Sequence, residues 1–128
     1  MTVQYRIDAS INRLTTRAFG EVTNDEVLEH FDELSADSSF EPDLDVLLDL
    51  LDCKTVPDAD QIRTAAARVT ADLSKLRFGR LAIVVASEAL FGMLRMFHTF
   101  SESAFLEAQV FRDLDEALQW LDELGVTG

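Results

Sequence analysis

Val3, Tyr5 and Ile7 alternate with Gln4, Arg6 and Asp8, the period-2 pattern of a strand with one buried face. Ala9-Ser10 interrupts the alternation, and Leu14 to Phe19 predicts a second strand, closed by Gly20. The period then changes. Thr23-Asn24-Asp25-Glu26 fits a capping box, and Val27, Leu28, Phe31 and Leu34 follow at helical spacing, which predicts an amphipathic helix over 24–36. Glu26, Glu29, His30 and Glu33 are assigned to its other face, with His30 solvated among carboxylates one turn away.

Val46-Leu47-Leu48-Asp49-Leu50-Leu51 and Leu81-Ala82-Ile83-Val84-Val85-Ala86 are almost continuously apolar, as expected of strands covered on both faces. Between them, Asp58 or Asp60 caps a helix that carries Ile62, Ala65, Ala66, Val69, Leu73 and Leu76 on one side. A further helix is predicted from about Ser87 to Ser103. Ala108 to Phe111 makes a last strand, and Asp113-Leu114-Asp115-Glu116 opens a final helix. Its core face is Leu114, Ala117, Leu118, Leu121 and Leu124, and Gly125 ends it. The order is β-β-α-β-α-β-α-β-α, a single α/β domain over 1–128 with a parallel or mixed sheet.

The helix after Val85 has an unusually broad apolar surface. At about 100° per residue, Leu90, Met93, Leu94, Phe97 and Phe100 form a stripe about 120° wide. Phe91 and Met96 lie beyond its two edges and widen the apolar arc to about 220°. Gly92 occupies the opposite side. One reading makes this helix a central layer of the core. The other makes the extra surface a pocket wall for an apolar ligand or a contact with a second subunit, which thioethers suit in either case. Arg95 and His98 would then border that surface as a polar rim, although an arginine there also has many acids to pair with.

Composition narrows the chemistry. Twenty-four acidic residues against eleven Lys plus Arg give a net charge of −13, which repels phosphate backbones and anionic headgroups. No basic stripe is present, so nucleic acid is not an expected partner. Apolar runs are too short to span a bilayer, and no basic segment precedes an apolar one at the N-terminus; a cytoplasmic location is expected. Cys53 is the single cysteine and is read as a half-buried strand-end residue. No nucleotide-loop, zinc-helix or nucleophile-elbow pattern occurs. Asp49 and Asp52 are the best-placed acidic pair, at the carboxyl end of a strand where open α/β sheets bind ligands. Ser87 and Arg112 follow the next two strands and are candidates for the same crevice. Capping and solvated loop acids are commoner than ion sites, so neither a metal nor another cofactor is expected.

The stretch Ala82-Ile83-Val84-Val85-Ala86-Ser87, then Phe91-Gly92-Met93 with Arg95-Met96-Phe97, then Val110-Phe111-Arg112-Asp113 with Glu116-Ala117 and Trp120-Leu121, resembles the SpoIIAA-like proteins. Phe19-Gly20-Glu21-Val22-Thr23 and the strand ending near Asp49 extend the resemblance over nearly the whole chain. That architecture is shared with STAS domains and with the lipid-binding half of Sec14-type (CRAL-TRIO) proteins. The resemblance implies a five-stranded mixed sheet packed by four helices, without catalytic apparatus. It also implies a small carrier or sensor of apolar molecules whose membrane contact is at most peripheral. STAS regulators carry a phosphorylatable serine in a D-S-S/T-G-like loop; here Leu51 to Asp58 holds neither serine nor glycine, and Thr55 is its one hydroxyl.

The expectation is therefore a non-enzymatic binder of an apolar or amphiphilic molecule. Leu90, Phe91, Met93, Leu94, Met96, Phe97 and Phe100 are the expected wall, and Asp49, Asp52, Ser87, Arg95, His98 and Arg112 its polar rim. The alternative is a STAS-like interaction module acting as a homodimer.

Overall fold

The computed structural model describes residues 2–71 and 77–126, with side chains as far as Asp122. Strands β1 (Val3–Asp8) and β2 (Arg13–Ala18) are joined by a 3-10 turn, Ala9–Ile11. Helix α1 (Asn24–Ala36) leads to β3 (Leu44–Leu50), α2 (Ala59–Ala71) to β4 (Phe78–Val85), and α3 (Glu88–Ser101) to β5 (Glu107–Phe111); α4 (Leu114–Val126) follows. The element order is the expected one. Strand order in the sheet is β1-β2-β3-β4-β5, with β1 antiparallel to β2 and the remaining pairs parallel.

This topology decides where the helices go. Each crossover from β2 to β5 moves to the next strand in the same direction, and right-handed crossovers then place α1, α2 and α3 on one face. Only α4, which follows the edge strand β5, is left for the other. The two cores match. On the three-helix face, Leu14, Val46, Leu50, Leu81, Ile83 and Val85 pack with Leu34, Ile62, Val69, Leu90, Leu94 and Phe97. On the other, Leu47, Ala82, Val84 and Phe111 pack with Ala117 and Leu121. The almost unbroken apolar runs of β3 and β4 follow from this double cover.

Several boundaries differ from expectation. β3 begins at Leu44 and β4 at Phe78, because a register irregularity between Leu44 and Val46 hides both strand starts from a simple alternation. Gly79 permits it: a Cβ there would lie 2.5 Å from Asp45 Oδ1 and 2.8 Å from the Asp43 carbonyl. The same Asp45 oxygen accepts the Arg80 amide at 2.9 Å. α3 stops at Ser101 and tightens into a 3-10 turn over Glu102–Ala104, and α4 continues past Gly125 to Val126. Leu73 and Leu76, expected on α2, and the side chain of Leu124, expected on α4, lie outside the described residues.

Helix starts are capped as their sequences require. Thr23 Oγ1 accepts the Glu26 amide while Glu26 Oε1 accepts the Thr23 amide, and Thr2 also donates to Glu26. Asp58, not Asp60, caps α2, and Gln61 returns the bond in a reciprocal pair. Asp113 Oδ1 receives the amides of Asp115 and Glu116. Among the described residues no helix is long and apolar enough to cross a membrane.

Candidate functional site

The floor of the site is the three-helix face of β2 and β3. Leu14, Thr16 and Ala18 alternate inward from β2, and register pairs the first two with Val46 and Leu48 of β3. Three small side chains line the space under α1 and α2: Thr16 and Ala18 on β2 and Ala65 on α2. α2 packs closely along α3 but touches α1 sparingly. A cavity of about 350 Å³ is left between them.

Its walls are aliphatic and aromatic. α1 contributes Val27, His30, Phe31 and Leu34; α2 contributes Ile62, Ala65 and Val69; α3 contributes Leu90, Leu94 and Phe97. At the amino-terminal end of β4, Phe78 and Phe105 close the cavity as a stacked pair 5.2 Å apart. At the carboxyl ends of β2 and β3, the lining includes Val22, Thr23, Asn24, Cys53, Thr55, Val56, Pro57 and Gln61. Thr23 is exposed and Val56 is 49% exposed, so the cavity reaches the surface between these two loops.

The two mouth loops are stitched together. Gly20, in the left-handed region at φ +68°, bridges to Cys53: its amide donates to the Asp52 carbonyl and its carbonyl accepts the Lys54 amide. Thr55 Oγ1 accepts the Val22 amide at 3.1 Å and donates to the Val22 carbonyl at 3.3 Å. The Cys53 thiol is free, half-buried and 3.5 Å from the Thr55 carbonyl.

One polar pair sits deep in this apolar wall. Thr16 is 3% exposed, and its hydroxyl lies 3.3 Å from His30 Nε2. His30 is therefore not the solvated side chain expected above. It lies at i+3 from Val27 and i−4 from Leu34, inside the apolar stripe, and its ring meets Tyr5 edge-on at 5.4 Å and Phe31 at 5.6 Å. Nδ1 is buried without a hydrogen-bond partner. Burial pushes the imidazole down to about 4, so His30 is neutral at neutral pH. Nearby, burial and the hydrogen bond to Asp37 push the Tyr5 phenol up to about 12.

The expected wall residues divide. Leu90, Leu94 and Phe97 line the cavity. Phe91, Met93 and Met96 are half-buried against the same core without reaching it, and Phe100 is 43% exposed. The cavity lies under the centre of the α3 stripe, whereas Phe91 and Met96 occupy its edges. Arg95 stacks on the Phe91 ring at 5.9 Å, and Arg63 on Phe100 at 5.7 Å.

None of the six expected rim residues lines the cavity. Asp49 shares register with Arg17, on the sheet face opposite the cavity, where its carboxylate accepts the Leu51 amide. Asp52 pairs with Arg17 at 2.6 Å. Ser87 caps α3 through the Leu90 amide, and Arg112 donates to the Ala86 carbonyl. His98 is half-buried on the outer part of α3. No group of three or more His, Cys, Asp or Glu arranged to hold a metal occurs among the described residues.

The β2, α1 and α2 walls were not anticipated, because a gap between elements has no periodicity of its own. The available signals were His30 inside its own stripe and the small inward residues Thr16, Ala18 and Ala65. Comparison with known proteins agrees with the architecture. A family model described as SpoIIAA-like matches residues 13–122. The crystal structure of an uncharacterized protein of the DUF3478 family with a SpoIIAA-like fold, from Shewanella loihica PV-4, superposes with a TM-score of 0.62 at 20% identity, covering 93% of each chain. No curated protein matches the sequence.

Proposed function

The chain belongs to the SpoIIAA-like family, and from that premise we propose that it is a non-catalytic binder of an apolar or amphiphilic small molecule, held between the sheet and α1–α3. One observation carries this reading: an apolar cavity of about 350 Å³ that opens at the carboxyl ends of β2 and β3. Protein interiors rarely tolerate voids much larger than a water molecule. An apolar occupant supplies the packing contacts that walls around such a space otherwise lack. Between the roughly 15 Å³ a water's probe sphere needs and its roughly 30 Å³ share of the liquid, the space suits about one to two dozen heavy atoms. Val56, exposed at the mouth, gives the entrance an apolar edge suited to brief contact with a membrane surface.

Pyrene, a hydrocarbon probe, tests the proposal. Its fluorescence is expected to report saturable one-to-one binding to the wild type and little binding to Ala65→Leu, whose side chain fills the space under α2. Absence of saturable binding to the folded wild type would overturn it.

A second reading, a homodimer through α3, is favoured by Met96 and Phe100, one turn apart, partly exposed and outside the cavity. The two readings use different faces of one helix and are compatible.

A further inference from the structure

The cavity wall is selective in charge as well as apolar. Lys, Arg, Asp and Glu are all missing from its lining among the described residues. Cations close to the mouth are turned outward or already paired: Arg17 holds Asp52, Arg63 holds Asp60, and Lys54 is exposed. Acids border the entrance, with Glu21, Asp25, Asp58 and Asp60 adjacent in the chain to mouth residues and exposed. Three of the neutral polar groups there are engaged, and Asn24 carries no charge. Thr55 is tied to Val22, Thr23 to Glu26, and Gln61 to Asp58. An anion drawn past the mouth to the depth of Thr16 would lose its hydration without gaining a counter-charge, which is strongly unfavourable.

Thr16 and His30 differ from the mouth residues. A threonine hydroxyl carries one donor and two acceptor positions, and Thr16 spends one of them on His30 Nε2 at 3.3 Å. Capacity remains on a side chain that faces the cavity. The groups facing His30 supply no positive charge. Tyr5 from β1 and Thr16 from β2 are neutral, and Glu26, Glu29 and Glu33 of α1 border it with Val3 on its outer side.

We infer that the occupant is a neutral amphiphile whose un-ionised hydroxyl seats at the Thr16–His30 pair, and that the cavity discriminates against carboxylates of the same chain length. This rests on the binding role proposed above and adds the class of ligand. Fatty alcohols and hydroxylated ring compounds of about one to two dozen heavy atoms satisfy it; ionised fatty acids do not. His30 stays neutral down to about pH 4, so it offers no compensating cation to a carboxylate near neutral pH.

Displacement of pyrene by decan-1-ol and by decanoate, with the full chain, is the test. At pH 7.5 decanol is expected to compete at least tenfold better than decanoate. Decanoate should gain affinity as the pH falls toward 5.5 and more of it is protonated. Thr16→Val should weaken decanol about fivefold relative to pyrene, the size of one neutral hydrogen bond, while circular dichroism shows the variant to be folded. Thr16→Ser should retain the alcohol. Decanoate competing as well as decanol at pH 7.5, or Thr16→Val leaving decanol unchanged, overturns the inference while the binding role stands. Failure of pyrene itself removes the binding role.

Discussion

His30 has one ring nitrogen on Thr16, the other without a partner, and the rings of Tyr5 and Phe31 packed beside it. Protonation would place an uncompensated charge inside the wall. The folded imidazole titrates near 4, below its ordinary value of about 6.5, so folding favours the neutral ring. Its stabilising contribution is fully present above about pH 6.5 and is lost as the pH falls through 4. Glu26 is held to about 2 by hydrogen bonds from Thr2 and Thr23, and Asp37 is lowered by Tyr5. Those carboxylate contributions disappear only below about pH 4, which leaves the window from 6.5 to 4.5 to His30. Urea unfolding should show the wild type losing about 2 to 3 kcal/mol between pH 7 and 4.5. His30→Leu should lose much less. Equal losses in both proteins would show that the ring is not confined as described.

Among the elements, α3 illustrates what a helical wheel can and cannot say. Its breadth of apolar surface was legible, because 3.6-residue spacing fixes which side chains share a face. Which part of that face meets a void was not, since this depends on how far α1 stands from α2. The centre of the stripe, Leu90, Leu94 and Phe97, lines the cavity, and its edges, Phe91 and Met96, pack beside it. Phe100, stacked under Arg63, carries the outward exposure. A homodimer through Met96 and Phe100 predicts a mass twice that of the chain by light scattering, reduced to the single chain in Phe100→Asp without loss of helical signal. A monomeric wild type removes the dimer. α1 taught the opposite lesson. Its bounds and capping box are readable from Thr23 and Glu26, yet the polarity of His30 points to the outer face while its spacing places it inside.

Across the whole molecule, the order of strands and helices was readable because each element carries its own period and its own caps. Consecutive crossovers then fix three helices on one face of the sheet and α4 on the other. Strand starts at Leu44 and Phe78 were hidden by the irregularity that Gly79 permits. The cavity was hidden for a different reason: it is formed jointly by small side chains of β2 and α2 and by the spacing of α1. It is also the feature on which the functional account depends, because apolar walls around a space of about 350 Å³ gain their missing packing contacts only from an apolar occupant. Native mass spectrometry of the protein as purified, beside Ala65→Leu prepared identically, tests this most directly. The account predicts a non-covalent, solvent-extractable adduct of small neutral mass on the wild type and bare protein for the variant. Bare protein in both, with no uptake when decan-1-ol is added, would contradict it.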